Sequence, residues 1–476
     1  MPKKTTTFER MLPARDAATP AYRWLYEALR VEILQGRLRP GARLPGTRDL
    51  ARQHGLSRGT IVAAFDQLAA EGYVEGSVGS GTYVSSVLPD ELLHVGRSTR
   101  STDAPARAPK RHLSGYARRV QLFPGYEDRP TRAFRANLPA LDLFPMTLWT
   151  QLAARRLRRA SVPLLRGCDP LGYTPLREAI ADYLTSSRGV RCTADEVAIV
   201  GGAQEALDLA ARLFLERGDR VWMEDPGYPG ASIAFEAAGA KITTTLRGAR
   251  LLYLTPAHQF PSGTTMPLAR RLELLEWART NGALIFEDDY DSEYRYEGRP
   301  VPALQGLDRH GVVLFAGTFS KVLFPSLRLG YLVAPPDLMP HIAAAISVTT
   351  RHAPLLEQAV LCDFITGGHF ARHLRRMREI YAERLGVLID SARERLAGFL
   401  EISEVQAGLQ TVGWLRDGID GESAAIAAAA HNVEVTPLSR YTRGRVGREG
   451  LQLGFAAIDA REIRRGVREL AMAFGV

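Results

Sequence analysis

The residues best suited to chemistry lie in Gly317-Thr318-Phe319-Ser320-Lys321-Val322-Leu323-Phe324-Pro325-Ser326-Leu327-Arg328-Leu329-Gly330. An apolar run, Val312-Val313-Leu314-Phe315, precedes it and predicts a buried strand that delivers hydroxyls, one lysine and one arginine to its end. Open α/β sheets bind ligands at such strand ends. A lysine at the mouth of a cleft can be desolvated, lose its charge and act as an amine nucleophile that forms a Schiff base with a carbonyl. Thr318, Ser320 and Arg328 suit a phosphate, because hydroxyls donate to its oxygens and a guanidinium can pair with two of them. A Schiff-base lysine beside a phosphate site points to pyridoxal phosphate. The plainer alternative is a lysine that faces water.

A second stretch, Ala283-Leu284-Ile285-Phe286-Glu287-Asp288-Asp289-Tyr290-Asp291, favours the cofactor. Alternate side chains of a strand share a face, so Asp288 and Tyr290 point the same way. A carboxylate against a pyridine nitrogen keeps it protonated and makes the ring an electron sink. A phenol two residues on can donate to the ring's 3-oxygen. An exposed acidic turn would not explain why an apolar strand runs straight into it.

Together these stretches resemble the fold type I pyridoxal-phosphate enzymes, the aspartate aminotransferase superfamily. More narrowly, Glu287-Asp288-Asp289-Tyr290-Asp291-Ser292-Glu293-Tyr294, Thr255-Pro256-Ala257-His258-Gln259-Phe260-Pro261-Ser262-Gly263 and the lysine stretch resemble the MocR-type branch of the GntR-family transcription regulators. Those proteins join a winged helix-turn-helix to an aminotransferase-like domain. The resemblance implies an α/β chain: an N-terminal winged helix-turn-helix, a linker, and a mostly parallel sheet with a smaller C-terminal α/β domain. It also implies a homodimer, with DNA-binding domains that can be exchanged between subunits.

The chain has 476 residues, enough for two or three domains, and a net charge of +9. Residues 1–85 carry 12 basic and 8 acidic side chains, residues 86–135 carry 10 and 5, and residues 136–476 carry 39 of each. A basic front end on a neutral body fits a polyanionic partner for the front end alone. Cys168, Cys192 and Cys362 show no metal-ligand spacing, and no run approaches the roughly 20 apolar residues of a membrane span. A cytoplasmic protein without a metal site is expected.

Residues 15–85 are the predicted DNA-binding domain. Leu25, Leu29, Ile33 and Leu34 have helical spacing, and Gly36 closes that run. Thr47 is a good N-cap for a short second helix, and Ser57 for a third over Arg58–Ala70 that buries Ile61, Val62, Phe65 and Leu68. Tyr73-Val74 and Thr82-Tyr83-Val84, around a glycine-rich turn, read as a hairpin. In this arrangement Ser57, Arg58, Gly59 and Thr60 enter the major groove. Arg43, Thr47 and Arg48 approach the phosphates, and the wing tip at Ser80 and Thr82 reaches the backbone. Residues 86–135, rich in Arg, Pro, Ser and Thr, read as a linker.

Residues 136–476 are the predicted cofactor domain, with its smaller part from about residue 382. Val197-Ala198-Ile199-Val200 reads as a strand, and Gly202, Ala203 and Gln204 open a helix whose amides can hold a phosphate. Tyr228 is expected to pack on the cofactor or effector, and the resemblance places the His258 loop beside the pyridine ring. Between Ala240 and Arg250 the chain departs from its relatives through a short connection. Aminotransferases hold the substrate carboxylate with an arginine near their last strand, where this chain has Gln452 and no arginine between Gly450 and Ala460. Arg440 is the nearest candidate for binding an effector. The expected function is a DNA-binding regulator that senses an amino compound or pyridoxal phosphate itself through an aldimine on Lys321. The competing reading is an active aminotransferase with a DNA-binding appendage.

Overall fold

The computed structural model describes residues 12, 13, 15, 19–77, 81–88, 111–122, 130–296, 301–402, 405–444 and 446–476. They fall into two compact units, within Met1–Arg111 and His112–Val476. Among them no helix is long and apolar enough to cross a membrane.

The first unit is built on three helices, α1 (Ala21–Leu34), α2 (Thr47–His54) and α3 (Arg58–Ala70). Leu25, Leu29 and Ile33 of α1 meet Ile61, Phe65 and Leu68 of α3 in one buried core. Fully burying such an apolar side chain contributes roughly 1.5–3 kcal/mol, so these six residues supply a large share of the unit's stability. Leu34 is exposed and Val62 only half-buried, and Ala64 fills the core place expected of Val62. Strands β1 (Val74–Ser77) and β2 (Gly81–Val84) pair antiparallel as the wing. Leu44 N donates to Thr82 O and Val84 N to Ala42 O, which ties the segment before α2 to the wing.

The second unit is organised on a seven-stranded sheet: β3 (Val197–Val200), β4 (Arg220–Met223), β5 (Lys241–Thr243), β6 (Ala249–Leu254), β7 (Leu284–Asp289), β8 (Val313–Thr318) and β9 (Gly330–Val333). Their spatial order is β3-β9-β8-β7-β6-β4-β5. β9 runs antiparallel to both neighbours and the rest are parallel. Both faces are covered, so these strands read as continuous apolar runs. Val197, Ile199, Phe315, Tyr331 and Val333 pack on one side with helix Thr174–Arg188. Ala198, Val200, Leu314, Ala316 and Leu332 pack on the other with helices Ala203–Phe214 and Met339–Thr349. The short connection leaves the sheet intact. Residues 244–248 link β5 to β6, both strands pair with β4, and Trp222 Nε1 holds the link through Thr244 O at 2.9 Å.

A 27-residue helix, His369–Arg395, leads to a second sheet of β10 (Leu400–Ile402), β11 (Gln410–Leu415), β12 (Thr436–Pro437) and β13 (Gly450–Gly454), ordered β10-β11-β13-β12 and antiparallel throughout. Residue 382 falls within that helix, which runs on unbroken because no proline interrupts it.

The linker expected over 86–135 is shorter at both ends. Leu88 is buried in the core of the first unit. Helix Gly115–Arg119 belongs to the second unit, where the Arg119 guanidinium donates twice to Ala237 O. Ala133 and Phe134 are wholly buried and bridge to Val433 and Gly454. Arginine-rich composition suggested a solvated tether, but Arg119 satisfies a backbone carbonyl, and Arg132 and Arg135 flank the apolar anchors Ala133 and Phe134.

Candidate functional site

A cleft of about 280 Å3 opens at the C-terminal ends of β7 and β8. β7 carries Asp288 into it, and Tyr290 follows just past the strand's end. β8 ends on Thr318, and the turn beyond supplies Ser320 and Lys321. Arg328 enters ahead of β9 in a left-handed conformation, φ 50°, which costs a residue with a side chain roughly 1–3 kcal/mol and collects at functional sites.

Helix Ala203–Phe214 starts at the same cleft. Gly202 is its N-cap, at φ 116°, and a Cβ there would lie 3.8 Å from the Arg328 guanidinium. The first amides of a helix have no partner within it and favour an anion. Gly202, Ala203, Gln204, Thr318, Ser320 and Arg328 therefore make a cradle suited to a phosphate.

At the other end, Tyr253 Oη donates to Asp288 Oδ2 at 2.8 Å, and Asp288 Oδ1 is buried with no partner among the described residues. A buried acceptor left unsatisfied is costly, and a ligand's N–H would relieve that cost. Burial pushes the Asp288 carboxyl up to about 7, with the Tyr253 hydrogen bond and Lys321 pulling it back down. Lys321 Nζ donates to Asn137 O at 2.8 Å. Its amine is pushed down to about 8 by burial, against the opposing pull of Asp291 and Asp288. The site thus offers an anion cradle, an unsatisfied carboxylate oxygen and an amine close to neutrality, which fits the phosphate, ring nitrogen and carbonyl of pyridoxal phosphate.

The first unit presents its own surface. Ser57, Arg58 and Gly59 are exposed at the start of α3, and Thr60 is half-buried. Ser57 Oγ accepts from Thr60 N at 3.1 Å and lies 2.8 Å from Thr60 Oγ1, so both hydroxyls are engaged in the cap. Arg43 and Arg48 are exposed as well. Arg43 lies over the wing, where a Cβ on Gly81 would come within 2.8 Å of its Nε. Thr82 is half-buried in the wing, and Ser80 lies outside the described residues. Thr47 is the first residue of α2 rather than its cap: Gly46 takes that place, with no side-chain cap bond.

Residues 137–470 match the family of class I and II aminotransferases, and residues 21–84 match the gntR family of bacterial regulatory proteins. The chain is 42% identical over 474 residues to the "Probable rhizopine catabolism regulatory protein MocR" of Rhizobium meliloti, covering 97% of this chain and 95% of that one. The chain belongs to the MocR-type branch of the GntR family. It is 30% identical to the pyridoxine biosynthesis transcriptional regulator PdxR of Corynebacterium glutamicum, over 94% of this chain and 95% of that one. Among solved structures it is similar to an α-aminoadipate aminotransferase of Thermus thermophilus complexed with N-(5'-phosphopyridoxyl)-L-leucine, with 28% identity, a TM-score of 0.67, and coverage of 76% of this chain and 95% of that one. This MocR-type chain is thus a DNA-binding regulator whose aminotransferase-like part takes pyridoxal 5'-phosphate.

Two expected site residues do not reach the cleft of this MocR-type chain. His258 stands behind Tyr290, with Nδ1 at 2.8 Å from Asp291 Oδ1 and 3.0 Å from Tyr290 Oη. It is 3% exposed, and Gly408 packs so close that a Cβ there would lie 2.1 Å from the ring. Arg440 is on the outer side of Tyr441, where Glu422 holds its guanidinium at 2.8 and 3.0 Å. A bidentate carboxylate neighbour 18 residues earlier is a stronger attractor than a cleft the side chain would have to cross. Tyr228 does line the cleft, edge-on to Phe260 at 5.5 Å, and burial pushes its phenol up to about 12, so it stays a donor.

The sequence reading missed Tyr253, Phe260 and Asn137. Tyr253 had a signal, since a phenol inside a buried strand must find a hydrogen-bond partner. Asn137 acts through its backbone carbonyl at φ 67°, which residue type alone does not disclose.

The depressed Lys321 sets a pH dependence. Below pH about 8 its neutral fraction falls about tenfold per unit. Cofactor loading of the bare protein should therefore slow by that factor between pH 7 and 6 and level off above pH 8, as read by stopped-flow absorbance.

Proposed function

We propose that this regulator holds pyridoxal phosphate with Lys321 as the attaching amine and that an amine effector, or the cofactor itself, changes its grip on an operator. The observation that carries this reading is the convergence, in one cleft, of Lys321, the unpartnered Asp288 Oδ1 and the Gly202–Arg328 cradle. When bound, the cofactor supplies an aldehyde that condenses with primary amines and a ring that draws electrons. Arg328, Thr318, Ser320 and the Gly202–Gln204 turn would hold its phosphate, Asp288 its ring nitrogen and Tyr290 its 3-oxygen. Tyr228 and Phe260, which line the cleft, would help screen it from water.

In this reading the protein works in the cytoplasm as a homodimer, in the exchanged arrangement its resemblance implies, and reads paired half-sites. Met146, Leu157, Val162 and Leu165 are exposed apolar side chains of the second unit that a partner subunit would cover. Ser57, Arg58, Gly59 and Thr60 would meet base edges, and Arg43, Thr47, Arg48 and Thr82 the backbone. A ligand can shift DNA affinity only through unequal affinity for two states.

Fluorescence anisotropy of the protein on its own promoter DNA tests this reading, with and without pyridoxal phosphate and amines. The cofactor or an amine should change operator affinity, and Arg58→Ala should weaken it and reduce the salt slope by about 1 if Arg58 also neutralises a phosphate. A native protein indifferent to promoter DNA at every ligand condition would sink the regulatory reading.

A further inference from the structure

We propose that the cleft selects an amine that carries no carboxylate, so that the effector is a simple or hydroxylated amine rather than an amino acid. This rests on pyridoxal phosphate occupying the cleft through Lys321. Among the described residues that line it, Lys321 and Arg328 are the cations. Arg328 sits at the start of helix Ala203–Phe214, against Gly202, and is committed to the phosphate end. Lys321 is the amine that the effector displaces. No described cation in the lining is then left to neutralise a carboxylate beside the incoming nitrogen. Burying an unpaired anion in such a cleft is strongly disfavoured.

The rest of the wall is neutral in depth. Phe260 lies edge-on to Tyr228 at 5.5 Å and to Tyr290 at 6.1 Å. Behind Phe260, at 5.0 Å, stands Tyr441, whose hydroxyl donates to Gln452 Oε1 at 2.7 Å. Gln452 is 0% exposed, and its Nε2 has no hydrogen-bond partner among the described residues. The layer behind the aromatic wall is therefore a phenol and an amide, where a bound carboxylate would want a guanidinium. The arginines flanking Tyr441 are already paired, Arg440 with Glu422 and Arg443 with Glu236. Aromatic faces tipped with phenol groups suit an uncharged carbon skeleton, including one that bears hydroxyls.

In the exchange, the ligand nitrogen forms its bond to the cofactor carbon as the bond to Lys321 breaks. The two hydrogens that the incoming ammonium gives up would leave on the Lys321 amine, and no oxidant or reductant takes part. The charge of the ligand beyond its nitrogen is thus the property the cleft sorts.

The experiment titrates the full-length, cofactor-loaded protein with matched pairs that differ only by a carboxylate: ethanolamine and L-serine, tyramine and L-tyrosine, cadaverine and L-lysine. Binding is read both from the visible absorbance of the bound cofactor and by calorimetry. At least one amine should half-saturate at a concentration about tenfold or more below its carboxylated partner, with no pair reversed. Equal or tighter binding of the amino acids would overturn the proposal and mean that a cation enters from outside the described residues. Silence of every amine, with the protein's own visible band intact, would overturn it too. Absence of that band after loading would instead overturn the cofactor reading beneath it.

Discussion

Replacing Lys321 with alanine abolishes covalent retention of the cofactor. The expected measurement is borohydride reduction of the loaded protein, proteolysis and mass spectrometry. In the native protein the reduced cofactor should appear on the peptide that holds Lys321, and in Lys321→Ala on no peptide at all. The test is unusually clean in this chain. Its lysines are Lys3, Lys4, Lys110, Lys241 and Lys321, so the second unit contains just two, and Lys241 is an exposed residue at the edge strand β5. Label on Lys241 or Lys110 in the native protein would place the chemistry elsewhere and refute the assignment. The variant should fold. Among the described residues Lys321 makes one hydrogen bond, to Asn137 O, whose loss costs about 1 kcal/mol, and removing a half-buried amine that burial already disfavours as a cation offsets part of it. The winged helix has its own core, so promoter binding by the bare variant should match that of the bare native protein.

The parts of this site that were legible in the sequence share a physical cause. Lys321, Asp288 and Thr318 stand on or just beyond buried strands, where an apolar run ends abruptly in polar groups that water alone does not explain. Strand periodicity put Asp288 and Tyr290 on one side, and both line the cleft. Gly202 was legible because a glycine between strand and helix permits both a positive φ and a close guanidinium. What misled was carrying the His258 loop over from the resemblance and choosing Arg440 for its nearness in sequence. His258 and Arg440 had nearer carboxylates, Asp291 and Glu422, which the sequence does not show to be neighbours in space. The inner ends of the supposed linker were obscured in the same way, since Arg119 reads as solvated until Ala237 O is placed against it. Thr47 lost its capping role to Gly46 because the chain turns one residue earlier than residue preference suggests.

Exchanging Asp288 for asparagine should move two properties in opposite directions. Asp288 is 4% exposed, its Oδ2 is held by Tyr253, and its Oδ1 has no partner among the described residues. A carboxylate there keeps a bound ring nitrogen protonated through a charge-assisted hydrogen bond. The isosteric amide retains the Tyr253 contact but lacks that charge. A hydrogen bond to a charged group contributes roughly 1.5–3 kcal/mol, so cofactor affinity should fall about 10- to 100-fold. The visible spectrum of the loaded variant should shift as well, because its ring nitrogen is no longer held protonated.

The bare protein should respond the other way. Burial raises the folded-state pKa of Asp288 from 3.8 to about 7. Between those values the unfolded chain has released the proton while the folded chain keeps it, so this group's contribution falls as pH rises from about 4 and its full penalty is present above about 7. Asparagine does not titrate. Bare Asp288→Asn should therefore melt higher than the bare native protein at pH 8, by an amount equivalent to about 1–3 kcal/mol, and the gap should close towards pH 4. Loss of affinity together with loss of stability would reduce the variant to a folding defect. Loss of affinity with a gain in stability at pH 8 identifies Asp288 as a carboxylate kept in place for the ligand at the expense of the empty fold.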